Sequence, residues 1–486
     1  MPKAAAKGKV VLVSNAEPTN FDAVMEGYGL AATAFGYDSI VEQVLARNAK
    51  TSELIGSLAE KWEQKSPDTW RYTLRKGVKL HNGEDFNADA IVYSLNRAAD
   101  KGLASKSQLF WPGGGSVTKV DDFTVDVKSA ATDPIQHLRM VYLPVVAPKW
   151  AQTNPEELPI NAIGTGPYKF VEWVRVQYVK MTANDNYWGK QATIKDVTLV
   201  WRAESAVRAA MIKTGEADWA YDLSPEDAKQ VPKTASRAST GTFDARYDTE
   251  NPVLKDKRVR QAMNMAIDVE TLMKTLVAGI SDPAKGHIVG DFVLGFNPNI
   301  KPYAYDQAKA KSMVAEAKAA GIPTDTTELD LWGAKGRIPR LDELMESMAD
   351  SWGKIGLKIK MNVTETAKWR EAFYAVQPGK KRGAVFVYGH YNDLGDSAQS
   401  ADSYVKCGGI LSTYCDKKLD ETIVKAANSV GEERVKLYQQ VWAETHEQAL
   451  FLPMFVIKPI FGLSKRLNWE PRVDKLVMAQ EMSLTE

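Results

Sequence analysis

The sequence is short of the residues on which metal centres and many enzymes depend. Its 486 residues include two cysteines and five histidines, and no two histidines stand at the spacing of a zinc site. No run of 18 apolar residues occurs, so no membrane span is expected. The formal net charge is +1, without the basic field that attracts nucleic acid. We therefore expect no dedicated metal site, no nucleic-acid partner and no transmembrane helix.

Motifs for catalysis or cofactor binding are also missing. The glycine-rich stretches at Gly113–Gly115 and Gly164–Pro167 are not followed by the Lys-Ser/Thr of a phosphate loop, and Pro167 has no amide hydrogen to donate. No Gly-x-Ser-x-Gly nucleophile elbow is present. We expect tight turns at both stretches, no cofactor and no enzymatic activity; a peptidase would need a nucleophile or metal that the sequence does not offer.

What the sequence does contain is the length and patterning of a mixed α/β protein. A single core stops growing near roughly 250–300 residues, so this chain predicts two or three cores. Residues 258–277 carry apolar side chains at helical spacing, with Asp256 as an N-cap. Leu341–Ile355 predicts another helix, which ends at Gly356 and leads into the alternating strand Leu357–Val363. A helix that feeds a strand across one glycine indicates an αβ unit.

Four segments carry a resemblance that covers almost the whole chain. Residues 70–97 read WRYTLRKGVKLHNGEDFNADAIVYSLNR, in which a strand and two glycine turns precede a helix that begins near Asn87. Together with residues 163–189, 208–218 and 252–268, this segment resembles the bacterial extracellular solute-binding proteins, family 5. These proteins are the peptide- and nickel-type receptors of ABC importers.

The resemblance implies a fold. It predicts an α/β, two-lobed periplasmic-binding-protein clamp (type II, Venus-flytrap). Lobe I would combine residues 1–243 and 459–486, with an extra subdomain at about 45–160. Lobe II would be residues 244–458, and the hinge crossings would lie near 242–248 and 455–460.

The resemblance also implies a function. The protein would be the substrate-binding receptor of an ABC importer, which captures a di- or oligopeptide or similar zwitterionic compound between two closing lobes and delivers it to a permease in the inner membrane. The alternatives are a non-peptide solute (an opine, an amino-acid conjugate, a sugar or a nickel chelate), or a sensor or peptide chaperone without its own transporter. A monomer is expected, either periplasmic or lipid-anchored outside the cytoplasmic membrane, with its signal peptide absent from this chain.

The implied ligand site centres on the loop at 387–403. Residues 389–396, GHYNDLGD, are similar to the family's G-W-x-x-D-x-x-D, whose first Asp binds the terminal ammonium of a peptide. Asp393 falls on that position, with His390 in place of the Trp and Tyr391 and Asn392 between them. Ser397 replaces the Pro that follows the family's second Asp, and Asp393 in a solvated turn is the alternative.

Other implied contacts are less specific. Lys335 or Arg337 would hold the carboxylate of the solute, at the position where dipeptide receptors use Arg, unless this glycine-rich basic loop is simply solvated. Tyr28 and Trp111 lie beside glycine-rich turns and would form aromatic walls, or else belong to the core.

Cys407 and Cys415 would by default be buried, unreactive thiols. The intervening Gly408-Gly409 would let the segment fold back on itself, and the resemblance to the Cys…Tyr-Cys pattern of dipeptide receptors favours a disulfide between them. Such a bond would indicate an oxidising compartment.

Overall fold

The computed structural model describes residues 6–18, 20–22, 24, 37–100, 111, 114–276, 281–335, 338, 340–374 and 385–485. The chain forms two compact units. Unit 1 combines Met1–Arg237 with Pro459–Glu486, and unit 2 is Ala238–Lys458.

The first boundary between the units differs from the predicted boundary between the lobes, at 243/244. It lies between Arg237 and Ala238 rather than within 242–248, because Gly241–Tyr247 is a strand of unit 2 that is hydrogen-bonded to a neighbour on each side. The second boundary, between Lys458 and Pro459, falls inside the expected range of 455–460.

The helices and strands are numbered along the chain. Before Ala238 they are β1 (Lys7–Ser14), β2 (Leu45–Arg47), β3 (Leu54–Gly56), β4 (Ala59–Ser66), β5 (Thr69–Leu74), α1 (Ala88–Ala99), β6 (Gly115–Asp121), β7 (Thr124–Ser129), α2 (Gln136–Arg139), α3 (Pro148–Thr153), β8 (Tyr168–Val174), β9 (Tyr178–Ala183), β10 (Ile194–Trp201), α4 (Ser205–Thr214), β11 (Trp219–Ala220), α5 (Pro225–Ala228) and β12 (Lys233–Ser236). In unit 2 they are β13 (Gly241–Tyr247), α6 (Lys257–Met265), α7 (Val269–Leu276), α8 (Gln307–Ala319), β14 (Glu328–Ala334), α9 (Leu341–Lys354), β15 (Lys358–Thr364), α10 (Thr366–Tyr374), β16 (Val385–Tyr391), α11 (Ser397–Tyr404), α12 (Lys417–Asn428), α13 (Gly431–Glu447) and β17 (Phe451–Val456). After Lys458 come β18 (Ile460–Leu463), β19 (Leu467–Asn468) and β20 (Ser483–Leu484). Within the described ranges, none of the helices has both the length and the apolar composition needed to cross a membrane.

Unit 1 is built on a seven-stranded sheet in the order β12-β18-β11-β1-β10-β9-β8. The central strand β1 pairs in parallel with β10 and β11, and its Val10, Leu12 and Val13 are fully buried. A nearly continuous apolar run is typical of a strand covered on both faces. A separate four-stranded sheet, β4-β5-β7-β6, carries the segment that begins at Trp70. As predicted, the helix that follows begins beside Asn87, whose side chain accepts a hydrogen bond from the Asp89 amide.

One buried carboxylate ties the Gly164–Pro167 turn to the rest of unit 1. Glu42 accepts hydrogen bonds from the Thr165 hydroxyl, the Tyr187 hydroxyl and the Trp188 indole, each at 2.8 Å. Burial raises the pKa of Glu42 to about 6, although these three donors oppose the shift. The turn therefore packs around a carboxyl group rather than a phosphate.

We expect Glu42 to make unit 1 more stable in mild acid. A raised pKa means that the folded state binds the proton more tightly than the unfolded state, so the contribution is complete below the unfolded pKa near 4.5 and is lost as the pH rises through about 6. Between pH 5 and pH 7 the loss amounts to about 1 kcal/mol. Urea denaturation of the wild type and of Glu42→Gln at both pH values measures this loss. The difference in the free energy of unfolding between the two proteins should change by that amount from pH 5 to pH 7.

The wild type has to be compared with the variant, because other groups make the free energy of unfolding rise with pH. Burial lowers the pKa of His81 and of His287 to about 4, and each therefore favours the folded state at the higher pH. A wild type and a Glu42→Gln variant with parallel pH profiles would show that Glu42 does not titrate in this range.

Unit 2 is built on a five-stranded sheet in the order β15-β14-β16-β13-β17. Strand β14 is parallel to both β15 and β16, whereas β13 is antiparallel to β16 and β17. The carboxyl ends of β14, β15 and β16 therefore meet at one edge together with the amino end of β13. We call this the site edge.

The two faces of this sheet differ. One face, the core face, packs with α6, α8 and α9 in a large apolar core that includes Phe243, Ala245 and Tyr247. The opposite face carries a smaller aromatic cluster of Phe386 and Tyr388 with Trp369 and Phe373 from α10. We call it the aromatic face.

The helices of unit 2 confirm one sequence prediction and correct another. Helix α9 leads into β15 through Gly356, whose φ of +98° is readily adopted only by glycine. The predicted helix over 258–277 begins at its expected cap, Asp256, but it is divided into α6 and α7. Asp268 accepts hydrogen bonds from the amide and hydroxyl of Thr271 and thereby starts a second helix.

The predicted disulfide is confirmed. Cys407 and Cys415 are bonded, with their Cα atoms 4.5 Å apart. The closed segment carries Leu411, whose side chain joins the aromatic cluster of unit 2.

Candidate functional site

The predicted site residues 390–393 lie at the carboxyl end of β16, at the site edge. Their side chains alternate between buried and half-buried positions. His390 and Asn392 turn inward and are buried, whereas Tyr391 and Asp393 are half-buried. Side chains alternate between the two sides of a strand. His390 and Asn392 therefore project to one side of the strand, and Tyr391 and Asp393 to the other.

The two inward side chains hold the loop. The amide nitrogen of the Asn392 side chain donates to the Asp396 carbonyl at 3.0 Å and to the Ser400 hydroxyl at 2.7 Å, while its oxygen accepts from the Asp396 amide at 3.2 Å. His390 Nε2 lies 2.8 Å from the same Ser400 hydroxyl. These contacts fix the backbone that carries Asp393.

Asp393 is the residue of this loop whose carboxylate is partly open to solvent and lies at the site edge. Its Oδ1 accepts a hydrogen bond from the Thr240 hydroxyl at 3.2 Å. The backbone N–H of Asn392 also donates to the Thr240 carbonyl at 3.2 Å. Thr240 was missed by the sequence analysis, because its position beside Asp393 follows from the pairing of β13 with β16. The carboxylate is thus oriented and can accept further hydrogen bonds from a cation.

Tyr391 lies over the backbone of the neighbouring strand. Its register partner on β13 is Gly241, and a Cβ atom at that glycine would stand 2.5 Å from Cδ1 and Cε1 of the tyrosine ring. Such a separation is shorter than any van der Waals contact between carbons. Glycine at 241 is therefore a condition for the ring position.

The second carboxylate of the loop has a different task. Asp396 caps α11 by accepting from the Ala398 amide at 2.9 Å, and it forms two hydrogen bonds with Arg434, at 2.8 and 2.6 Å. Both side chains are buried, with 1% of Asp396 and 3% of Arg434 exposed. Asp396 is a structural residue.

Lys335 follows β14 and so lies at the same edge as Asp393. It is exposed, and its ammonium is 3.2 Å from the carboxylate of Glu365. A solvent-exposed ion pair of this kind contributes little free energy. Its partner can therefore be exchanged for the carboxylate of a solute at small cost.

The other predicted contacts are Trp111, Tyr28 and Arg337. Trp111 is a core residue of unit 1 with 1% of its surface exposed, and its indole donates to the Ser129 hydroxyl at 3.4 Å. The prediction of an aromatic wall at Trp111 is therefore not supported. Tyr28 and Arg337 lie outside the described residues. Throughout the described segments, no group of three or more His, Cys, Asp or Glu side chains is arranged to hold a metal ion.

Comparison with known proteins identifies the family. Residues 53–412 match the model of the bacterial extracellular solute-binding proteins, family 5 Middle. The chain belongs to this family. Family 5 proteins are extracellular or periplasmic solute-binding receptors rather than a class of enzymes.

Its relatives within family 5 bind different ligands. The dipeptide-binding protein of Escherichia coli (strain K12) is 27% identical over 438 residues, which cover 82% of this chain and 80% of the relative. Heme-binding protein A of Haemophilus influenzae is also 27% identical, over 86% of this chain and 82% of the relative. The periplasmic binding protein DppA of Helicobacter pylori, solved with the peptide STSA, is 21% identical and superimposes with a TM-score of 0.83 over 99% of this chain and 98% of its own. The fold is therefore the two-lobed, type II periplasmic-binding-protein clamp, as predicted.

Proposed function

We propose that this protein is the substrate-binding receptor of an ABC importer and that its solute is a di- or oligopeptide or a similar zwitterionic compound. The observation that carries the proposal is Asp393, a half-buried carboxylate held at the site edge by Thr240. A cation that leaves water for a protein site needs a charge partner and hydrogen-bond acceptors, and Asp393 supplies both for a terminal ammonium.

Lys335 is the proposed partner of the opposite end of the solute. It follows a strand that ends on the same edge as Asp393, and its exposed pair with Glu365 is readily replaced. Lys offers a point charge without the planar fork of Arg, so we expect weak geometric selection of the carboxylate.

The relatives favour a peptide among the candidate solutes. A dipeptide-binding protein and a glutathione-binding protein, both proteins that bind short peptides, are each 27% identical to this chain over more than four fifths of its length. We propose a receptor without catalytic activity, which acts as a monomer outside the cytoplasmic membrane and delivers its solute to a permease.

A thermal-shift experiment with blocked peptides tests this function. Ala-Ala at a hundred times its Kd should stabilise the protein by about 2.7 kcal/mol. N-acetyl-Ala-Ala, which lacks the ammonium, should give no shift, and Ala-Ala-amide, which lacks the carboxylate, a smaller one. A shift with a sugar, an opine or a nickel–histidine complex and with no peptide would contradict the peptide assignment.

Uptake measurements separate a transport receptor from a sensor or chaperone. Deletion of the gene should abolish uptake of the peptide that binds in vitro, and a plasmid copy should restore it. Unchanged uptake in the deletion strain would contradict a role in import.

A further inference from the structure

Buried polar groups on the two faces of the unit 2 sheet differ in their hydrogen bonding. On the core face, the Tyr247 hydroxyl donates to Asn264 at 2.6 Å and the Trp352 indole donates to the Met263 carbonyl at 2.9 Å. On the aromatic face, several buried polar atoms of the described residues have no hydrogen-bond partner: Asp244 Oδ1, Tyr388 Oη, Trp332 Nε1 and Thr364 Oγ1. Each such group costs about 1–3 kcal/mol, and their concentration on one face calls for an explanation.

Two of these atoms are neighbours in the sheet. Asp244 of β13 and Tyr388 of β16 stand opposite each other in register, and 0% and 1% of their surfaces are exposed. Aromatic rings surround the pair: Phe373 lies 5.2 Å and Tyr404 5.6 Å from the Tyr388 ring. Trp332 extends this wall on the next strand, 6.2 Å from Phe386. We call this set the aromatic compartment.

The hydrogen bonds of Thr242 indicate the protonation state of Asp244. The Thr242 hydroxyl oxygen is 2.8 Å from Asp244 Oδ2 and 2.7 Å from the Ile288 carbonyl oxygen. A hydroxyl has one hydrogen to donate, and a carbonyl oxygen can only accept. Both contacts are satisfied together when the hydroxyl donates to Ile288 and accepts from a protonated Asp244. Burial acts in the same direction, since it raises the pKa of Asp244 well above its usual range.

A neutral Asp244 keeps one acceptor, Oδ1, which is buried and has no hydrogen-bond partner. Tyr388 adds a hydroxyl that can donate or accept, and Trp332 adds an N–H donor. A cation would bind poorly here, because it offers no acceptor to the Tyr388 and Trp332 donors and because the aromatic face already carries the positive charge of Arg246. The Arg246 guanidinium lies 4.3 Å from the Phe373 ring and donates to the Leu411 carbonyl at 2.7 Å.

The compartment reaches the surface of unit 2 at two of its aromatic residues. Trp332 and Tyr404 are only half-buried, so they separate the compartment from solvent. The Tyr404 ring also contacts the ring of His390 at 4.7 Å, on the strand that leads directly to Asn392 and Asp393. Asp393 and part of the compartment are therefore carried by the same strand, β16, and the loop that follows it.

We propose that the aromatic compartment is a specificity pocket for a carboxamide group of the solute, with the amide N–H donating to Asp244 Oδ1 and the amide oxygen accepting from Tyr388 or Trp332. This inference rests on the proposed function and names its substrate class: peptides that carry a glutamine or asparagine side chain, or a further peptide group in that position.

Binding of four dipeptides by calorimetry tests the inference. Ala-Gln should bind at least tenfold more tightly than Ala-Glu, Ala-Lys and Ala-norleucine, which share its length but offer a carboxylate, an ammonium and an alkyl group. Equal affinities would overturn the inference while leaving the proposed function intact. Failure of every peptide to bind would instead overturn the proposed function.

Variants at Asp244 distinguish an amide pocket from a cation pocket. Asp244→Asn should leave the preference for Ala-Gln within twofold, because asparagine keeps Oδ1 as an acceptor and its N–H can donate to Thr242. Asp244→Leu should remove the preference, and Tyr388→Phe should reduce it. Tyr247→Phe on the core face is the control and should leave it unchanged, and Ala-Ala binding checks that each variant folds.

The opposite pattern would overturn the inference. A cation pocket would bind Ala-Lys most tightly and would lose that affinity in Asp244→Asn. It would also release about one proton on binding, which calorimetry detects as a dependence of the heat on the ionisation enthalpy of the buffer.

Discussion

Asp393→Asn weakens the binding of an amine-bearing solute by about 2–5 kcal/mol, a factor of roughly 30 or more in Kd. The substitution keeps the shape of the side chain and the acceptor for Thr240, but it leaves a desolvated ammonium without a charge partner. The measurement is titration calorimetry with Ala-Ala. The free energy of unfolding should change by less than about 0.5 kcal/mol, as is usual for a substitution away from the core.

Glu346→Gln provides the matched control, because it removes an exposed carboxylate from α9 in the same unit. It should leave the affinity unchanged. A Kd for Asp393→Asn equal to that of this control would remove Asp393 from the site.

Asp396→Ala should lower the free energy of unfolding by about 3–5 kcal/mol, since it leaves the Arg434 guanidinium buried without its partner. Arg434 also donates to the Ala426 and Ala427 carbonyls, so the loss extends to the end of α12. Urea denaturation followed by circular dichroism measures the change. In a chain of two units the transition of unit 2 has to be resolved from that of unit 1.

Asp416→Ala separates the ion pair from the helix cap. Asp416 caps α12 by accepting from the Leu419 amide at 2.9 Å, and losing such a cap costs about 1 kcal/mol. If Asp396→Ala cost no more than Asp416→Ala, the buried pair with Arg434 would contribute nothing beyond the cap of α11.

Local periodicity explains which parts of the fold could be predicted from the sequence. The α9–β15 unit was foreseen because its helix, glycine and alternating strand are contiguous in the chain. The division of residues 257–276 into two helices was missed, because Asp268 competes with an apolar stripe that continues past it. The first boundary between the units depends on strand pairing across distant segments, which no local pattern in the sequence shows.

Of the candidate site, too, only some residues could be predicted from the sequence. Asp393 was located through a motif, but Thr240 lies 153 residues away in the chain and no local pattern points to it. Asp244 was overlooked, although the sequence GTFDARY offered a signal: an acid and a base at alternate positions of an otherwise apolar strand. Ionisable side chains on one face of a buried strand need hydrogen-bond partners, and only the structure shows that Asp244 Oδ1 has none.

Because Gly241 and the ring of Tyr391 are in contact, the substitutions that positions 241 and 391 can accept during evolution are coupled. A bulkier residue at 241 would drive the ring away, whereas a smaller residue at 391 would make room for a methyl group. Homologues that change their selectivity at 391 should therefore carry a compensating exchange at 241, and a library randomised at only one of the two positions would explore few viable sequences.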